Sequence, residues 1–229
     1  MSQRSKRYKA AKAGVTSGKS YDSAEAVALI KAQPATKFDA SVEVHFHLGV
    51  DVKQANQQVR GSVVLPHGVG KTKRIAVFCG DDKAKAAKAA GAAVVGGEEL
   101  IKEIQTTGKC NFDVAVATPE MMKLLAPIAK ILGQKGLMPN PKTETITPDV
   151  AKAVENLNKG KVSFKADDTG NVHQMIGKLS FDAPKLLENF TTFLEAVKRV
   201  KPSGAKGTYL MSATLTTTMG PAVRVNVNA

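Results

Sequence analysis

Hydroxyl-bearing side chains occupy every second position of a neutral segment near the carboxyl end of the chain, namely Ser212, Thr214, Thr216 and Thr218. Alternate side chains of a strand point to the same side, so the four hydroxyls would line one face. The other face would carry Tyr209, Met211, Ala213 and Leu215. This segment is therefore predicted to be a strand with one buried face and one polar face.

Two interpretations of this strand follow from its residues. Threonine is common in strands, so the hydroxyls could reflect β propensity alone. Alternatively, they form a row of short hydrogen-bond donors and acceptors, and Gly220 lets a ligand approach the backbone closely. The alternation by itself leaves both interpretations open.

The charge of the chain points to the class of its partner. Among 229 residues, 33 basic and 20 acidic side chains give a formal net charge of +13. Such an excess favours a polyanion such as nucleic acid or a membrane surface. No apolar run approaches the roughly 20 residues that a membrane-spanning helix needs, so a spanning protein is excluded and no membrane partner is predicted.

The first 20 residues are predicted to form a solvated basic arm. They contain no acidic residue, and they lack the apolar stretch of a secretory signal and the amphipathic pattern of a mitochondrial transit peptide. The two cysteines of the chain lie outside any CxxC pair, which favours a reducing cytoplasm. The basic residues of the arm are Arg4, Lys6, Arg7, Lys9, Lys12 and Lys19.

Residue types used in catalysis and metal binding do not form a recognisable site. The histidines lack metal-ligand spacing, and the adjacent carboxylates at 81–82 and 167–168 fit a helix start and a turn. Gly70-Lys71-Thr72 matches the end of a phosphate-binding loop, but Leu65 stands where that motif needs a glycine. The sequence predicts no metal, no cofactor and no enzymatic activity. The four histidines are His45, His47, His67 and His173.

Apolar segments of two kinds divide the chain. Residues 38–50 and 172–180 are predicted to be antiparallel strands, whereas residues 74–79 and 112–117 are continuously apolar and alternate with helices, as in a parallel sheet covered on both faces. We predict a discontinuous α+β domain, residues 1–68 plus 161–229, with an inserted α/β domain, residues 69–160. The discontinuous domain carries a net charge of +9 and the inserted one +4, so phosphate contact is predicted at the former.

Four segments together are specific to one family. They are Thr-Lys-Phe-Asp at 36–39, Arg-Gly-Ser-Val-Val-Leu-Pro-His-Gly at 60–68, the glycine- and proline-rich stretch 127–142, and Thr-Thr-Thr-Met-Gly-Pro at 216–221. In this order, over essentially the whole chain, the sequence resembles ribosomal protein L1 of the bacterial large subunit, the uL1 family. Other classes considered are a nucleotide-dependent enzyme and a generic nucleic-acid binder.

The resemblance implies a two-domain protein whose inserted domain is Rossmann-like and whose discontinuous domain binds RNA. It implies a structural, cytoplasmic protein that binds 23S rRNA and forms the mobile stalk of the 50S subunit. It further implies a role in releasing deacylated tRNA from the exit site (E site), and repression of translation from the messenger RNA of its own operon.

The resemblance also implies which residues of this sequence have functional roles. Phe38 is either an RNA contact or a core residue, and Lys165 and Lys178 are expected to add salt-dependent attraction to phosphates. Short hydroxyls fit the shallow minor groove of RNA, where 2′-hydroxyls are exposed. The implied rRNA and mRNA contacts are Lys37, Phe38, Glu43, Ser212, Thr216, Thr218, Met219 and Gly220. The side chains expected to face tRNA are Lys123, Lys130 and Lys135.

Overall fold

A computed structural model describes residues 5–16, 18–34 and 36–227, so Arg4 of the predicted arm lies outside the described residues. The chain forms two compact units. The first contains the described residues up to Gly70 and those from Ser163 onward, and the second contains Lys71–Val162. The chain therefore passes from the first unit to the second and back again.

The first unit is built on a four-stranded antiparallel sheet of order β7-β1-β8-β9. Helices α2 and α8 contact this sheet and each other. A separate two-stranded sheet joins β2 and β6. The elements are α1 Lys6–Ala13, α2 Ser23–Lys31, β1 Ser41–Leu48, β2 Arg60–Val64, β6 Lys161–Lys165 (whose first two residues are counted in the second unit), β7 Asn171–Lys178, α8 Ala183–Arg199, β8 Leu210–Thr217 and β9 Val223–Val225.

The core of this unit lies between the sheet and its helices. Alternate residues of β1 are buried, and the ring of Phe46 stacks on Phe193 of α8 with centroids 5.6 Å apart. Leu215 of β8 is also fully buried. The intervening side chains of β1, β7 and β8 remain partly or largely exposed on the opposite side, which we call the open face.

Strand register fixes which side chains are neighbours on the open face. Along β1, Glu43, His45 and His47 lie opposite Thr216, Thr214 and Ser212 of β8, respectively. On the other side of β1, His45 lies opposite His173 and His47 opposite Asn171 of β7. The predicted polar face of β8 is therefore confirmed.

One residue of β8 departs from the predicted alternation. Met211 was expected on the buried face, but its side chain is 59% exposed. The register shifts between His47 and Leu48, whose partners are Ser212 and Leu210, so Met211 has no partner residue on β1. An extra residue of this kind is a β-bulge, which turns the side chain away from the regular alternation.

The second unit has a parallel three-stranded sheet of order β4-β3-β5. Two separate apolar clusters cover its faces, one including Phe78 and Leu132 and the other including Val77 and Val154. The elements are β3 Ile75–Phe78, α3 Asp81–Ala89, β4 Val94–Gly96, α4 Glu98–Thr107, β5 Val114–Ala117, α5 Met121–Leu124, α6 Ala129–Gln134 and α7 Val150–Asn158. The predicted combination of α+β and α/β architecture is confirmed.

Residues 6–13 of the predicted solvated arm form helix α1, which was not predicted, and Lys6, Lys9 and Lys12 on this helix are exposed. The hydroxyl of Ser5 accepts a hydrogen bond from the Tyr8 backbone N–H at 3.3 Å and so caps the helix. Alanine and lysine are good helix formers, and the side chain of Ala11 is buried. Charge alone predicted an arm, whereas the cap and the alanines make it helical.

Candidate functional site

The outward hydroxyls of β8 have few partners within the protein. Among the described residues, the hydroxyls of Ser212 and Thr214 form no hydrogen bond, and both residues are partly exposed. Within the part of the chain that the structure describes, the hydroxyl of Thr216 donates only to the neighbouring Thr217 carbonyl, at 3.3 Å. A ligand could therefore bond to this strand without breaking an internal side-chain contact.

Beyond the end of β8, Thr218 is bonded to the first residue of β1. Its backbone N–H donates to the Ser41 carbonyl at 3.0 Å, and its hydroxyl accepts from the Ser41 N–H at 3.1 Å. The Lys178 ammonium donates to the Ser41 hydroxyl at 3.1 Å from the other side. The Thr218 hydroxyl thus also has a structural role. The positive charge of Lys178 lies beside Ser41, its hydrogen-bond partner.

Two exposed apolar side chains flank this row. Phe38 is 53% exposed and Met219 is 69% exposed, so the core alternative for Phe38 is wrong. The loop before β1 is held in place because Asp39 accepts hydrogen bonds from the Ser180 N–H at 3.2 Å and from its hydroxyl at 2.9 Å. We call this end of the open face the Thr218 corner, consisting of Lys37, Phe38, Ser41, Lys178, Thr218 and Met219.

The backbone at Met219 is left-handed, with φ of 67°. This conformation costs a residue other than glycine about 1 kcal/mol. The Gly220 N–H closes the turn onto the Thr217 carbonyl at 2.8 Å, and the Arg7 guanidinium donates to the Met219 carbonyl at 2.9 Å. A strained exposed residue held by long-range contacts is typical of a functional site.

Gly220 has a reason within the protein to be glycine. A β-carbon at this position would collide with the Thr217 hydroxyl oxygen and the Gln33 side-chain oxygen. Those two oxygens are themselves 2.9 Å apart and hydrogen-bonded. The need for glycine therefore comes from close packing in the chain, and the hypothesis of ligand access to the backbone is not required to explain it.

Side chains of β1 and β7 on the open face are bonded to one another. The Nδ1 atoms of His45 and His173 are 2.8 Å apart, and His47 Nδ1 lies 2.8 Å from the Asn171 side-chain oxygen. Asp167 lies 3.4 Å from His173. We call His45, His47, Asn171 and His173 the histidine row.

Burial, and then the charge that His173 can carry, lower the pKa of His45, while Glu43 opposes this at 4.0 Å. Hydrogen bonds, the largest from the Asn171 backbone N–H, hold the pKa of Asp167 well below its ordinary value. Among the described residues, no three histidine, cysteine or carboxylate side chains are grouped so as to hold a metal ion.

The structure brings some of the candidate lysines to the open face and leaves others apart. Lys178 lies in the Thr218 corner, and Lys37 is exposed in the loop that carries Phe38. Lys165 lies instead at the end of β6, where with Arg60 and Asp167 it lines a small cavity of about 60 Å³. Lys165 therefore belongs to a different sheet from the candidate strand.

The three lysines proposed to face tRNA lie in the second unit. Lys123 is exposed on α5, and Lys130 is exposed on α6. The Lys135 ammonium donates to the carbonyl of Gly108, the residue that caps α4, at 2.8 Å. Part of the bonding capacity of Lys135 is thus used within its own unit.

Sequence reasoning missed Arg7, Ser41 and Asp39 as parts of the site. Arg7 was counted only as one charge among several in the arm. Asp39 and Ser41 lie in or next to a quoted family segment, but their partners are more than a hundred positions away. No local pattern in the sequence reports such contacts.

A family model described as the ribosomal protein L1p/L10e family matches residues 29–221. The chain belongs to this family. It is 52% identical over 228 residues to a protein of Mesoplasma florum, covering 100% of both chains. It is 52% identical over 229 residues to one of Streptococcus gordonii, again covering 100% of both. Both relatives are named large ribosomal subunit protein uL1.

Membership of the L1p/L10e family confirms the resemblance inferred from the four segments. The names of the relatives describe proteins of the large ribosomal subunit, and the prediction that this chain is not an enzyme agrees with those names. None of the helices formed by the described residues combines the length and the apolar composition that crossing a bilayer requires.

Proposed function

We propose that this protein is a structural component of the large ribosomal subunit that binds 23S rRNA through the open face of its first unit. In this proposal the first unit is the rRNA-binding domain, and the second is an inserted domain. Family membership and the names of the full-length relatives support the ribosomal assignment. Binding to the ribosome would place the protein in the cytoplasm.

One observation most directly supports the open face as the RNA-binding surface. The neutral hydroxyls of Ser212 and Thr214 lack partners among the described residues, while Phe38 and Met219 expose apolar surface at the end of the same sheet. Short hydroxyls can bond to 2′-hydroxyls in the shallow minor groove of RNA, and exposed apolar groups can pack on riboses or bases. Specific contacts would thus come from β8 and the Thr218 corner.

Charge has a separate role in this proposal. Lys178 places its ammonium beside Ser41, and Lys6, Lys9 and Lys12 are exposed on α1. Contacts with phosphates supply affinity that depends on salt and little on sequence. Lysines would therefore attract RNA, and the neutral strand would select among RNAs.

Two finer activities extend the proposal. We propose that the second unit contacts deacylated tRNA in the E site through Lys123, Lys130 and Lys135, which are exposed. We also propose that messenger RNA of the protein's own operon binds the same open face as rRNA. If so, the two RNAs must compete, and unlabelled rRNA fragment should displace the messenger fragment.

The ribosomal proposal is tested by asking whether the protein co-sediments with 50S particles and protects a defined segment of 23S rRNA. Protection of one stalk segment is the expected result. Absence from 50S particles would contradict the assignment. Stabilisation of the protein by ATP or NAD would instead favour the nucleotide-dependent enzyme, and equal affinity for unrelated RNAs would favour a generic binder.

Replacing Thr218 tests the location of the site. Thr218→Val is expected to weaken binding of a stalk rRNA fragment by about 1 kcal/mol or more, because it removes a hydroxyl available to RNA and also leaves the Ser41 N–H, which the hydroxyl accepts from, without its partner. Thr218→Ser keeps the hydroxyl and should bind as the wild type does. Thr191→Val, the same change at an exposed position of α8, is the control. Unchanged affinity of Thr218→Val in a calorimetric titration would argue against this location.

A further inference from the structure

Arg7 differs from the other basic residues of α1 in what it contacts. Lys6, Lys9 and Lys12 follow one another at three-residue intervals and are exposed, which places them on one stripe of the helix. Arg7 is only partly exposed and lies one turn from the buried Ala11. Its guanidinium reaches Met219, 212 positions later in the chain.

The acceptor of this hydrogen bond is the carbonyl of a strained residue. Met219 is left-handed and 69% exposed, so little side-chain packing supports its conformation. The N–H of the same peptide group, that of Gly220, donates to the Thr217 carbonyl at 2.8 Å. A charged donor makes a stronger hydrogen bond than a neutral one, so Arg7 is suited to hold this turn.

We propose that Arg7 is a positioning residue that holds the Met219 turn in the conformation that selects RNA. This inference rests on the proposed function, because it assigns a specificity role within the same site. It assigns Arg7 a role different from that of the neighbouring lysines on α1. The lysines of α1 attract any polyanion, whereas Arg7 acts through the backbone of the turn and so affects which RNA is bound.

The first test compares Arg7→Gln with Lys9→Gln, since both remove one charge from α1. Affinity is measured for a 23S rRNA stalk fragment and for a scrambled RNA of the same length. Loss of a charge-assisted hydrogen bond should lower cognate affinity about tenfold for Arg7→Gln, against about twofold for scrambled RNA. Lys9→Gln should weaken both RNAs equally and reduce the dependence on salt.

Two further variants complete this comparison. Arg7→Lys, which retains a charged donor, should recover part of the discrimination. Lys198→Gln on α8, away from the open face, controls for the change in net charge. An unchanged ratio of cognate to scrambled affinity in Arg7→Gln would overturn the inference.

The second test needs no RNA and so separates this inference from the proposed function. Hydrogen exchange of the Gly220 amide is measured in the free protein, and Arg7→Gln should accelerate it at least about fivefold, while Lys9→Gln should not. In a Met219→Gly background, where positive φ carries no penalty, the acceleration should shrink. Unchanged exchange in Arg7→Gln would overturn the positioning role. If the wild type shows no preference for the cognate fragment, the proposed function fails instead.

Discussion

The open face of the first unit has two halves that differ in how their polar side chains are used. On β8, the hydroxyls of Ser212 and Thr214 have no hydrogen-bond partner among the described residues. On β1 and β7, the histidine row is bonded internally, with two contacts of 2.8 Å. Both halves are polar, but among the described residues Ser212 and Thr214 of β8 have hydroxyls without a partner, whereas the side chains of the histidine row are bonded to one another.

We interpret this difference as a division between side chains that are available to a ligand and side chains that stabilise the sheet. A ligand that bonds to an internally paired group must first break the existing hydrogen bond, so the net gain is small. A ligand that bonds to an unpaired, partly exposed hydroxyl displaces only water. We therefore expect changes on β8 to affect RNA affinity and changes in the histidine row to affect stability and its dependence on pH.

The largest effect should come from the turn that ends the β8 half. Gly220→Ala places a methyl group against the Thr217 and Gln33 oxygens, and overpacking of this kind costs about 2 kcal/mol of unfolding free energy. Urea denaturation measures the loss, and rRNA affinity should fall with it. Gly14→Ala is the control, because its added carbon would lie 3.7 Å from the nearest atom, the Ala11 carbonyl oxygen. Equal stability of the two variants would contradict the packing explanation.

A smaller effect should distinguish the two halves directly. Thr214→Val is expected to weaken rRNA binding by about 1 kcal/mol and to leave the unfolding free energy within about 0.5 kcal/mol of the wild type. Asn171→Ala, which removes the partner of His47, should instead lower stability by about 1 kcal/mol. The proposed difference between the two halves would be contradicted if Thr214→Val were the less stable of the two variants and bound RNA as the wild type does.

The smallest effect concerns pH. The pKa of His45 is lowered from 6.5 in the folded protein, chiefly by burial, so the unfolded chain binds more protons below pH 6.5. Stability should then decrease as pH falls from about 6.5 towards the folded-state pKa. The groups that face His45 are Glu43 and His173, with Asp167 beyond His173.

His45→Gln should flatten the stability profile in this range. The Asp167 carboxyl, whose ordinary pKa is 3.8, titrates at lower pH and cannot produce the same change. Chemical denaturation at a series of pH values measures the profile. A variant profile as steep as that of the wild type would show that His45 is not the source of this pH dependence.

Local periodicity was enough to predict much of the structure. Period-two alternation predicted the polar face of β8, and the segments that form β1 and β7 were predicted to be antiparallel strands. The bulge at Met211 was missed, because a register shift depends on the partner strand. Helix α1 was missed because its charge obscured the cap at Ser5.

The sequence predicted several residues of the candidate site but not the long-range contacts that hold them. Phe38 and Thr218 were named through family resemblance, and periodicity placed Thr214 on the polar face. The contact between Arg7 and Met219 and the pairing of His45 with His173 join distant parts of the chain, at separations of 212 and 128 positions. Only the folded sheet brings such residues together, so no motif reveals them.

The order of the strands has a consequence for synthesis of the protein. Strand β1 is central in its sheet, but its partners β7 and β8 are made much later, and Thr218 follows its partner Ser41 by 177 positions. A nascent chain that has not yet emerged past β8 lacks the Thr218 corner altogether. Recognition of RNA through the proposed site would therefore begin only after the chain has emerged past Thr218 from the ribosome that makes it.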